Sequence, residues 1–238
     1  MSQPNIFYNF TSENFDSRKT KIEFIILHYT ETKDLSDALD LLTDKRRKVS
    51  AHYLIDIDGT IYNLVSETKR AWHAGVSMWQ GLEDINSRSL GIEIVNQGEK
   101  KSNYYPDLQI KALIALIKYL MKKYKIDSNN ILGHSDIAPL RKIDPGKYFP
   151  WKKLSENMIG LWSNYNEIDI PLENNEVKLL LKNLKKIGYP LIDLDTKSKN
   201  NSKIIDAFHR HFMPYKVGEE PTITTLEISI KLIKLKNT

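Results

Sequence analysis

KIEFIILHY, residues 21–29, is the stretch of this 238-residue chain that most strongly constrains its fold. The run is short, apolar and rich in β-branched residues, which predicts a buried β-strand rather than a helix. His28 stands at its carboxyl-terminal end, where side chains with chemical roles are often found. We therefore expect a buried strand that places one imidazole at the edge of a sheet.

Helical and strand patterns alternate in the sequence around this strand. Asp58-Gly59 separates two β-rich runs, which is the strongest short-range signal for a hairpin. Apolar residues at helical spacing predict a long helix that begins near Pro106. We also expect strands at 89–95 and 130–132, and a helix at 35–42. Together these patterns predict an α/β fold in which helices flank a mixed central β-sheet with some antiparallel pairing.

The last third of the chain is organised differently. The polar stretch 163–175 has no apolar periodicity, which is typical of a linker. Apolar residues at helical spacing then predict three helices, the first of which ends at Gly188. We expect one domain at residues 1–165, a linker at 166–175 and a small three-helix domain at 176–238.

Composition restricts the chemistry that is available. Hydrophobic residues make up 41% of the chain, enough to form a buried core. Because there is no cysteine, any metal must be held by histidines and carboxylates. The net charge is +5, and the whole excess lies at 176–238, where 12 basic residues stand against 7 acidic ones. Such a basic segment favours anionic polymers as partners.

Two histidines and one carboxylate are candidates for a single metal site. His134 follows a predicted strand and a glycine, so its imidazole lies at the same sheet edge as His28 if the two strands are neighbours. Asp144 lies in an Asp-Pro-Gly turn and could be only a turn former, while Asp136 is a rival carboxylate close to His134. Three such ligands leave the fourth position of a tetrahedral Zn²⁺ free for water, as in catalytic zinc sites.

Glu93 and Lys142 are candidates for the groups that act beside the metal. Glu93 shares a strand face with Gly91 and Val95, where it is either solvated or a general base whose pKa is tuned by its surroundings. Lys142 stands two residues before Asp144, so in an extended segment both side chains point the same way. Otherwise Lys142 is an ordinary surface lysine.

Four further residues are candidates for lining a substrate cleft. Trp72 and His73 precede an Ala-Gly turn and combine an aromatic plane with an imidazole, although Trp72 could equally pack in the core. Asn86 and Arg88 stand just before the Glu93 strand and could hold a substrate carboxylate, although a solvated arginine is the simpler interpretation.

Seven short motifs follow one another between residues 26 and 146. They are Ile26-Leu27-His28-Tyr29-Thr30, Ser50-Ala51-His52-Tyr53, Asp58-Gly59-Thr60-Ile61-Tyr62, Ala71-Trp72-His73-Ala74-Gly75, Gly91-Ile92-Glu93, Gly133-His134-Ser135-Asp136-Ile137-Ala138-Pro139 and Arg141-Lys142-Ile143-Asp144-Pro145-Gly146. Each is weak alone, but in this order they resemble the zinc-dependent N-acetylmuramoyl-L-alanine amidases of the type 2 family, in its AmpD- and AmiD-like branch. Residues 176–238 look like the helical peptidoglycan-binding domain that follows the catalytic domain in AmiD-type members.

The resemblance implies roles for the matching residues. His28, His134 and Asp144 correspond to the ligands of one Zn²⁺ per chain, Glu93 to the catalytic glutamate and Lys142 to the lysine that assists at the transition state. The implied reaction is hydrolysis of the amide between the lactyl group of N-acetylmuramic acid and L-alanine of the stem peptide. The residues expected to contact the substrate are Tyr29, His52, Trp72, His73, Asn86, Arg88 and Ala138.

Other interpretations remain open at this point. The chain could be a non-catalytic peptidoglycan sensor that keeps zinc for stability alone. Nucleic-acid binding is not expected, because the basic charges near the C-terminus are interleaved with apolar and acidic residues. No apolar run approaches the roughly 20 residues of a membrane span, and residues 1–21 show no signal-peptide core. We expect a monomer that binds peptidoglycan or muropeptides in the cell envelope or periplasm, with the cytoplasm as the alternative.

Overall fold

The computed structural model describes residues 3–102, 104–190, 192–193, 195–196 and 198–236. Its strands are β1 (Ile6–Phe7), β2 (Phe15–Ser17), β3 (Phe24–Tyr29), β4 (Tyr53–Ile55), β5 (Ile61–Asn63), β6 (Lys69–Ala71), β7 (Ser89–Ile94) and β8 (Ile131–Gly133). Its α-helices are α1 (Leu35–Thr43), α2 (Ile85–Arg88), α3 (Asp107–Tyr124), α4 (His134–Ile137), α5 (Trp151–Ser155), α6 (Asn174–Ile187), α7 (Lys199–Phe212) and α8 (Ile223–Lys236). Short 3₁₀ helices lie at Ser128–Asn130 and Pro214–Lys216.

Six strands form the central sheet in the order β1-β5-β4-β7-β3-β8, and β2 and β6 pair separately. Strand β3 lies between β7 and β8 and is parallel to both, while β4 and β5 form an antiparallel pair. The predicted mixed α/β sheet is therefore confirmed. Because β3 is an internal strand that pairs on both edges, the stretch around His28 joins β7 and β8 into one sheet.

The register of these strands brings the predicted functional residues to one edge. His28 pairs with Glu93 on β7, and Leu27 pairs with Gly133, the last residue of β8. Residues that are directly opposite in a parallel pair point to the same face of the sheet. His28 and Glu93 are therefore neighbours on one face, and His134 follows β8 at the same end.

The predicted hairpin at Asp58-Gly59 is present between β4 and β5. Asp56 N–H donates to the Thr60 carbonyl at 2.9 Å, and Gly59 has a φ of +88°. A Cβ at Gly59 would lie 2.8 Å from the Leu108 carbonyl oxygen of α3. Glycine is required here both by the positive φ and by this close approach.

Two different layers cover the two faces of β3, which explains why the strand is apolar on both sides. Ile25 and Leu27 point toward α3 and share a hydrophobic cluster with its residues Leu113 and Leu116. Ile26 points the other way and belongs to a cluster that the C-terminal helices complete. The members of that cluster from α6, α7 and α8 include Leu181, Leu184, Ile204, Phe208, Ile228 and Leu232.

The C-terminal part consists of three helices, as predicted, and they pack directly on the sheet. Helix α6 ends at Gly188, whose φ is +140°. Within the described residues, no helix combines the length and the apolar composition needed to cross a membrane. The division of the chain at 166–175 stays a prediction, and the shared hydrophobic cluster shows that the helices and the sheet are in close contact.

Candidate metal centre and active site

His28, His134 and Asp144 converge at the end of the central sheet. His28 is the fifth residue of β3, His134 begins α4 directly after β8, and Asp144 lies in the loop that follows α4. The Nδ1 atoms of the two histidines are 3.0 Å apart, and Asp144 Oδ2 is 2.9 Å from each of them. All three side chains are buried. The sequence prediction that these distant residues form one cluster agrees with this geometry.

The hydrogens of the imidazoles point away from the centre of this triad. His134 Nε2 lies 3.1 Å from the Ala74 carbonyl oxygen, which can only accept, so Nε2 carries the hydrogen and Nδ1 is bare. Burial, followed by the charge of His134, lowers the pKa of His28 to about 4, so this ring is neutral at physiological pH. His28 Nε2 faces His73 at 3.0 Å, behind the triad.

The donor set fits a metal ion with an open coordination position. Asp144 Oδ2 lies 2.9 Å from the Nδ1 atoms of His28 and His134, which offer lone pairs when the ring hydrogens are on Nε2. A cation between these acceptors would stabilise them, and nitrogen and carboxylate ligands suit a transition metal such as zinc. These residues would supply three ligands.

Glu93 lies beside the triad as a buried carboxyl group. The residue is 7% exposed, and its Oε2 atom has no hydrogen-bond partner in the part of the chain that the structure describes. Burial, and secondarily the charge of Asp144, raises the pKa of Glu93 well above its ordinary value, whereas Lys142 lowers it. The group is thus close to the metal ligands and able to change its protonation state at a higher pH than an ordinary glutamate.

Lys142 acts on this site through its charge. Its ammonium opposes protonation of His28 and favours the ionised form of Glu93. The side chain is partly exposed, so it stands at the solvent side of the buried group. That the Lys142 and Asp144 side chains point the same way stays a prediction.

Three of the predicted substrate-binding residues lie near the triad. Tyr29 follows His28 and is 8% exposed, and His73 contacts His28 from behind. Ala138 lines a cavity of about 680 Å³ together with Gly75 and Arg141. Their roles toward a substrate stay predictions.

The other predicted contacts have structural partners elsewhere. His52 is fully buried, and its Nδ1 accepts from Gly91 N–H at 3.0 Å. Asn86 Oδ1 accepts from the backbone N–H groups of His73 and Ala74 at 3.0 and 2.7 Å. His52 and Asn86 therefore hold the backbone of the sheet and of the loop behind the metal ligands.

Trp72 and Arg88, the remaining predicted substrate contacts, are partly exposed and bond to residues outside the triad. Trp72 Nε1 donates to Asp16 Oδ2 at 3.3 Å, and Arg88 forms an ion pair with Glu23 at 2.7 Å. Neither side chain contacts the triad through these bonds. The Arg88 side chain is only 25% exposed, whereas the simpler interpretation of the sequence is a solvated arginine.

Residues that the sequence analysis did not single out also shape the site. Arg141 donates to the carbonyl groups of Ala74 and Val76, and it also lies 3.4 Å from His134 Nε2. Ser89, a buried residue at the start of β7, contacts His73. Arg141 lies within a quoted motif, but nothing local distinguishes Ser89 from other strand serines.

Sequence comparison assigns the first part of the chain to a family. Residues 18–147 match the family model described as N-acetylmuramoyl-L-alanine amidase. The N-acetylmuramoyl-L-alanine amidase AmiD of Escherichia coli (strain K12) is 35% identical over 233 residues, covering 90% of this chain and 83% of AmiD. The 1,6-anhydro-N-acetylmuramyl-L-alanine amidase AmpD of Haemophilus influenzae is 46% identical over 107 residues, covering 44% of this chain and 56% of AmpD.

Solved structures agree with this assignment. The complex of E. coli AmiD with anhydro-N-acetylmuramic acid-L-Ala-D-gamma-Glu-L-Lys superposes with a TM-score of 0.81 at 33% identity, covering 95% of this chain and 93% of AmiD. AmpDh3 of Pseudomonas aeruginosa superposes with a TM-score of 0.76 at 31% identity, covering 99% of this chain and all of AmpDh3. With its triad, its fold and these matches, the chain belongs to the N-acetylmuramoyl-L-alanine amidase family.

Proposed function

We propose that this chain is a zinc-dependent hydrolase of the amide between the lactyl group of N-acetylmuramic acid and L-alanine. The observation that carries the proposal is the convergence of three potential metal ligands beside buried Glu93, whose Oε2 has no hydrogen-bond partner among the described residues. His28, His134 and Asp144 would hold one Zn²⁺ and leave a position open. When bound, the ion would supply a Lewis acid that polarises the scissile carbonyl and acidifies water.

Glu93 is the proposed general base. Its raised pKa suits a group that takes a proton from the attacking water and passes it to the leaving amine of L-alanine. Because Glu93 is buried next to His28, the proton moves within a site of low dielectric constant. The partly exposed Lys142 would stabilise negative charge on the carbonyl oxygen as the tetrahedral species forms.

The proposed substrates are muropeptides. The structures of AmiD and of AmpDh3 have been solved with anhydromuramic peptides. The cavity of about 680 Å³ that Ala138 lines is of a size that binds ligands of this kind, although His28, His134, Asp144 and Glu93 are not part of its wall. Tyr29 and Ala138, which lie near the triad or line this cavity, are the proposed substrate contacts.

Mass spectrometry of reaction products tests this function. Incubation with anhydro-N-acetylmuramoyl tripeptide should release free sugar and a peptide that begins with L-alanine. Activity should disappear with a chelator and return when Zn²⁺ is added, and metal analysis should find one zinc per chain. A wild-type protein that binds the muropeptide but releases no peptide would contradict the proposal and favour a peptidoglycan sensor.

For the C-terminal helices we propose a role in holding peptidoglycan in the cell envelope. Helix α6 presents exposed lysines at positions 178, 182, 185 and 186. Stem peptides carry carboxylates, so these ammonium groups would attract the polymer. Reversal of Lys178 and Lys182 to glutamate in the full chain should weaken co-sedimentation with sacculi without changing hydrolysis of the small muropeptide. Equal co-sedimentation of the variant and the wild type would remove the binding role.

A further inference from the structure

A chain of hydrogen bonds runs from the metal ligand His28 to a backbone carbonyl behind it. Its far end is the Ile85 carbonyl oxygen, which lies 2.6 Å from Ser89 Oγ. A carbonyl oxygen only accepts, so the Ser89 hydroxyl donates its single hydrogen to Ile85. The Ser89 oxygen is then left as an acceptor for its other neighbour.

The direction of each remaining hydrogen bond in the chain follows from the bond between Ser89 and Ile85. His73 Nε2 lies 3.2 Å from Ser89 Oγ and must donate to it, which leaves His73 Nδ1 without a hydrogen. His73 Nδ1 therefore accepts from His28 Nε2 across 3.0 Å. Since a neutral imidazole carries one N–H, the Nδ1 atom of His28 is bare and faces Asp144 and His134.

The packing around His73 holds the ring in place. His73 is 5% exposed, and its backbone N–H is bound by Asn86 Oδ1 at 3.0 Å. A Cβ at Gly91 would lie 2.4 Å from the Cγ of His73, so the ring fills the space that glycine leaves on β7. The ring has little room to turn, and its two nitrogens keep their partners.

We propose that His73 is a positioning residue whose Nδ1 atom, oriented by Ser89, fixes His28 in the tautomer that can bind a metal through Nδ1. The proposal rests on the metal site of the proposed function. Outer partners of metal-bound histidines generally set ring orientation and tautomer. In this chain the partner is a second neutral imidazole, whose own tautomer is set by a serine and a carbonyl.

Metal affinity measured by competition with a chromophoric zinc chelator provides the first test. His73→Phe keeps a ring over Gly91 but removes the acceptor for His28, and it should weaken Zn²⁺ binding about 10- to 100-fold. His73→Asn places an amide oxygen near the position of Nδ1 and should recover most of this loss. His209→Phe, which removes a buried imidazole bonded to Thr225 in the C-terminal helices, is the matched control and should bind zinc as the wild type does.

Nitrogen-15 NMR of the metal-free protein provides the second test. In the wild type the hydrogen of His28 should reside on Nε2, and in Ser89→Ala a fraction should shift to Nδ1 because His73 can then adopt either tautomer. This variant also serves if His73→Phe does not fold. Wild-type zinc affinity in folded His73→Phe, or an Nδ1 hydrogen on His28 in the wild type, would overturn the proposal. The predicted tautomer in a wild type that binds no zinc would support the hydrogen-bond chain and contradict the proposed function instead.

Discussion

Two buried carboxylates, one within helix α4 and one in the loop that follows it, have opposite surroundings. Asp136, within α4, accepts from Gly133 N–H at 2.8 Å, from the Tyr189 hydroxyl at 2.7 Å and from His211 Nδ1 at 2.9 Å. Asp144, in the following loop, instead faces two imidazole nitrogens whose hydrogens point elsewhere. Asp136 is therefore surrounded by hydrogen-bond donors, and Asp144 Oδ2 by imidazole nitrogens that act as acceptors.

This difference explains the separate roles of Asp136 and Asp144. Asp136 joins the turn that begins at His134 to the C-terminal helices, where His211 also stacks on Trp151 with ring centroids 3.8 Å apart. Its hydrogen bonds are satisfied within the protein, so it needs no ion. Asp144 Oδ2 instead contacts the Nδ1 atoms of His28 and His134, so a cation between these three atoms would stabilise it. Burial and a neighbouring histidine alone therefore do not identify a metal ligand.

The largest expected effect is that of Asp144→Ala. Loss of a ligand should reduce zinc affinity by more than the about 100-fold typical of an outer partner, and hydrolysis should become undetectable. The metal-free variant should lose less stability than metal-free Asp136→Ala, because Asp136 accepts from three donors whereas Asp144 contacts the two imidazoles. Chelator competition and denaturant titration measure the two effects. An active, zinc-loaded variant would contradict the assignment of Asp144.

Glu93→Gln should separate catalysis from metal binding. The amide has the shape of the carboxyl group but cannot accept the proton, so hydrolysis should fall about 100- to 10,000-fold. Zinc affinity should stay within a few-fold of the wild type because Glu93 is not a ligand. Product release followed by mass spectrometry, together with metal analysis, tests both statements. Retention of wild-type activity would exclude Glu93 as the base.

Asp136→Ala should reduce stability more than zinc affinity, whereas Asp144→Ala should reduce zinc affinity more than stability. Three buried donors lose their acceptor, and the free energy of unfolding should fall by about 3 kcal/mol. Zinc affinity should decrease much less than in Asp144→Ala. Denaturant unfolding of both metal-free variants makes the comparison direct. If Asp136→Ala loses zinc at wild-type stability, the two carboxylates do not have the separate roles described above.

The smallest expected effect concerns the pH profile. Lys142 lowers the pKa of Glu93, so Lys142→Met should raise it further, and a larger fraction of Glu93 is then protonated at any given pH. The ionised base is lost as pH falls through its pKa, so the acid limb of kcat/KM should move to higher pH. Lys152→Met, at an exposed position on α5, is the control and should leave the limb in place. An unmoved limb in Lys142→Met would contradict the electrostatic role.

The site residues that lie at or near strand ends could be predicted from the sequence. His28, Glu93 and His134 each lie at or near a strand whose apolar pattern is clear, and parallel strands bring their ends to one edge. Asp144 was harder, because an Asp-Pro-Gly sequence is also a common turn. Its identification depended on the set of motifs rather than on its own surroundings. Spacing alone also left Asp136 as a rival, since both carboxylates are close in sequence to His134.

Tertiary contacts decided the roles that local patterns left open. His52 lies in a quoted motif and Asn86 in helix α2 before the Glu93 strand, yet they bind backbone groups of Gly91 and of the loop at His73. Polar residues in a recurring motif can therefore serve the backbone that supports a site rather than the site itself. The orientation of His73 depends on Ser89, which no local signal marked.

The sequence by itself determined a strand that had to be buried on both faces, with an imidazole at its end. That follows from the apolar run at 24–27, which cannot be solvated on either side. Only the tertiary structure decided that α3 covers one face and the C-terminal helices the other. The same packing decided which carboxylate is available as a candidate metal ligand. Tyr189 and His211 bring donors to Asp136, and the direction of each N–H depends on partners distant in the chain.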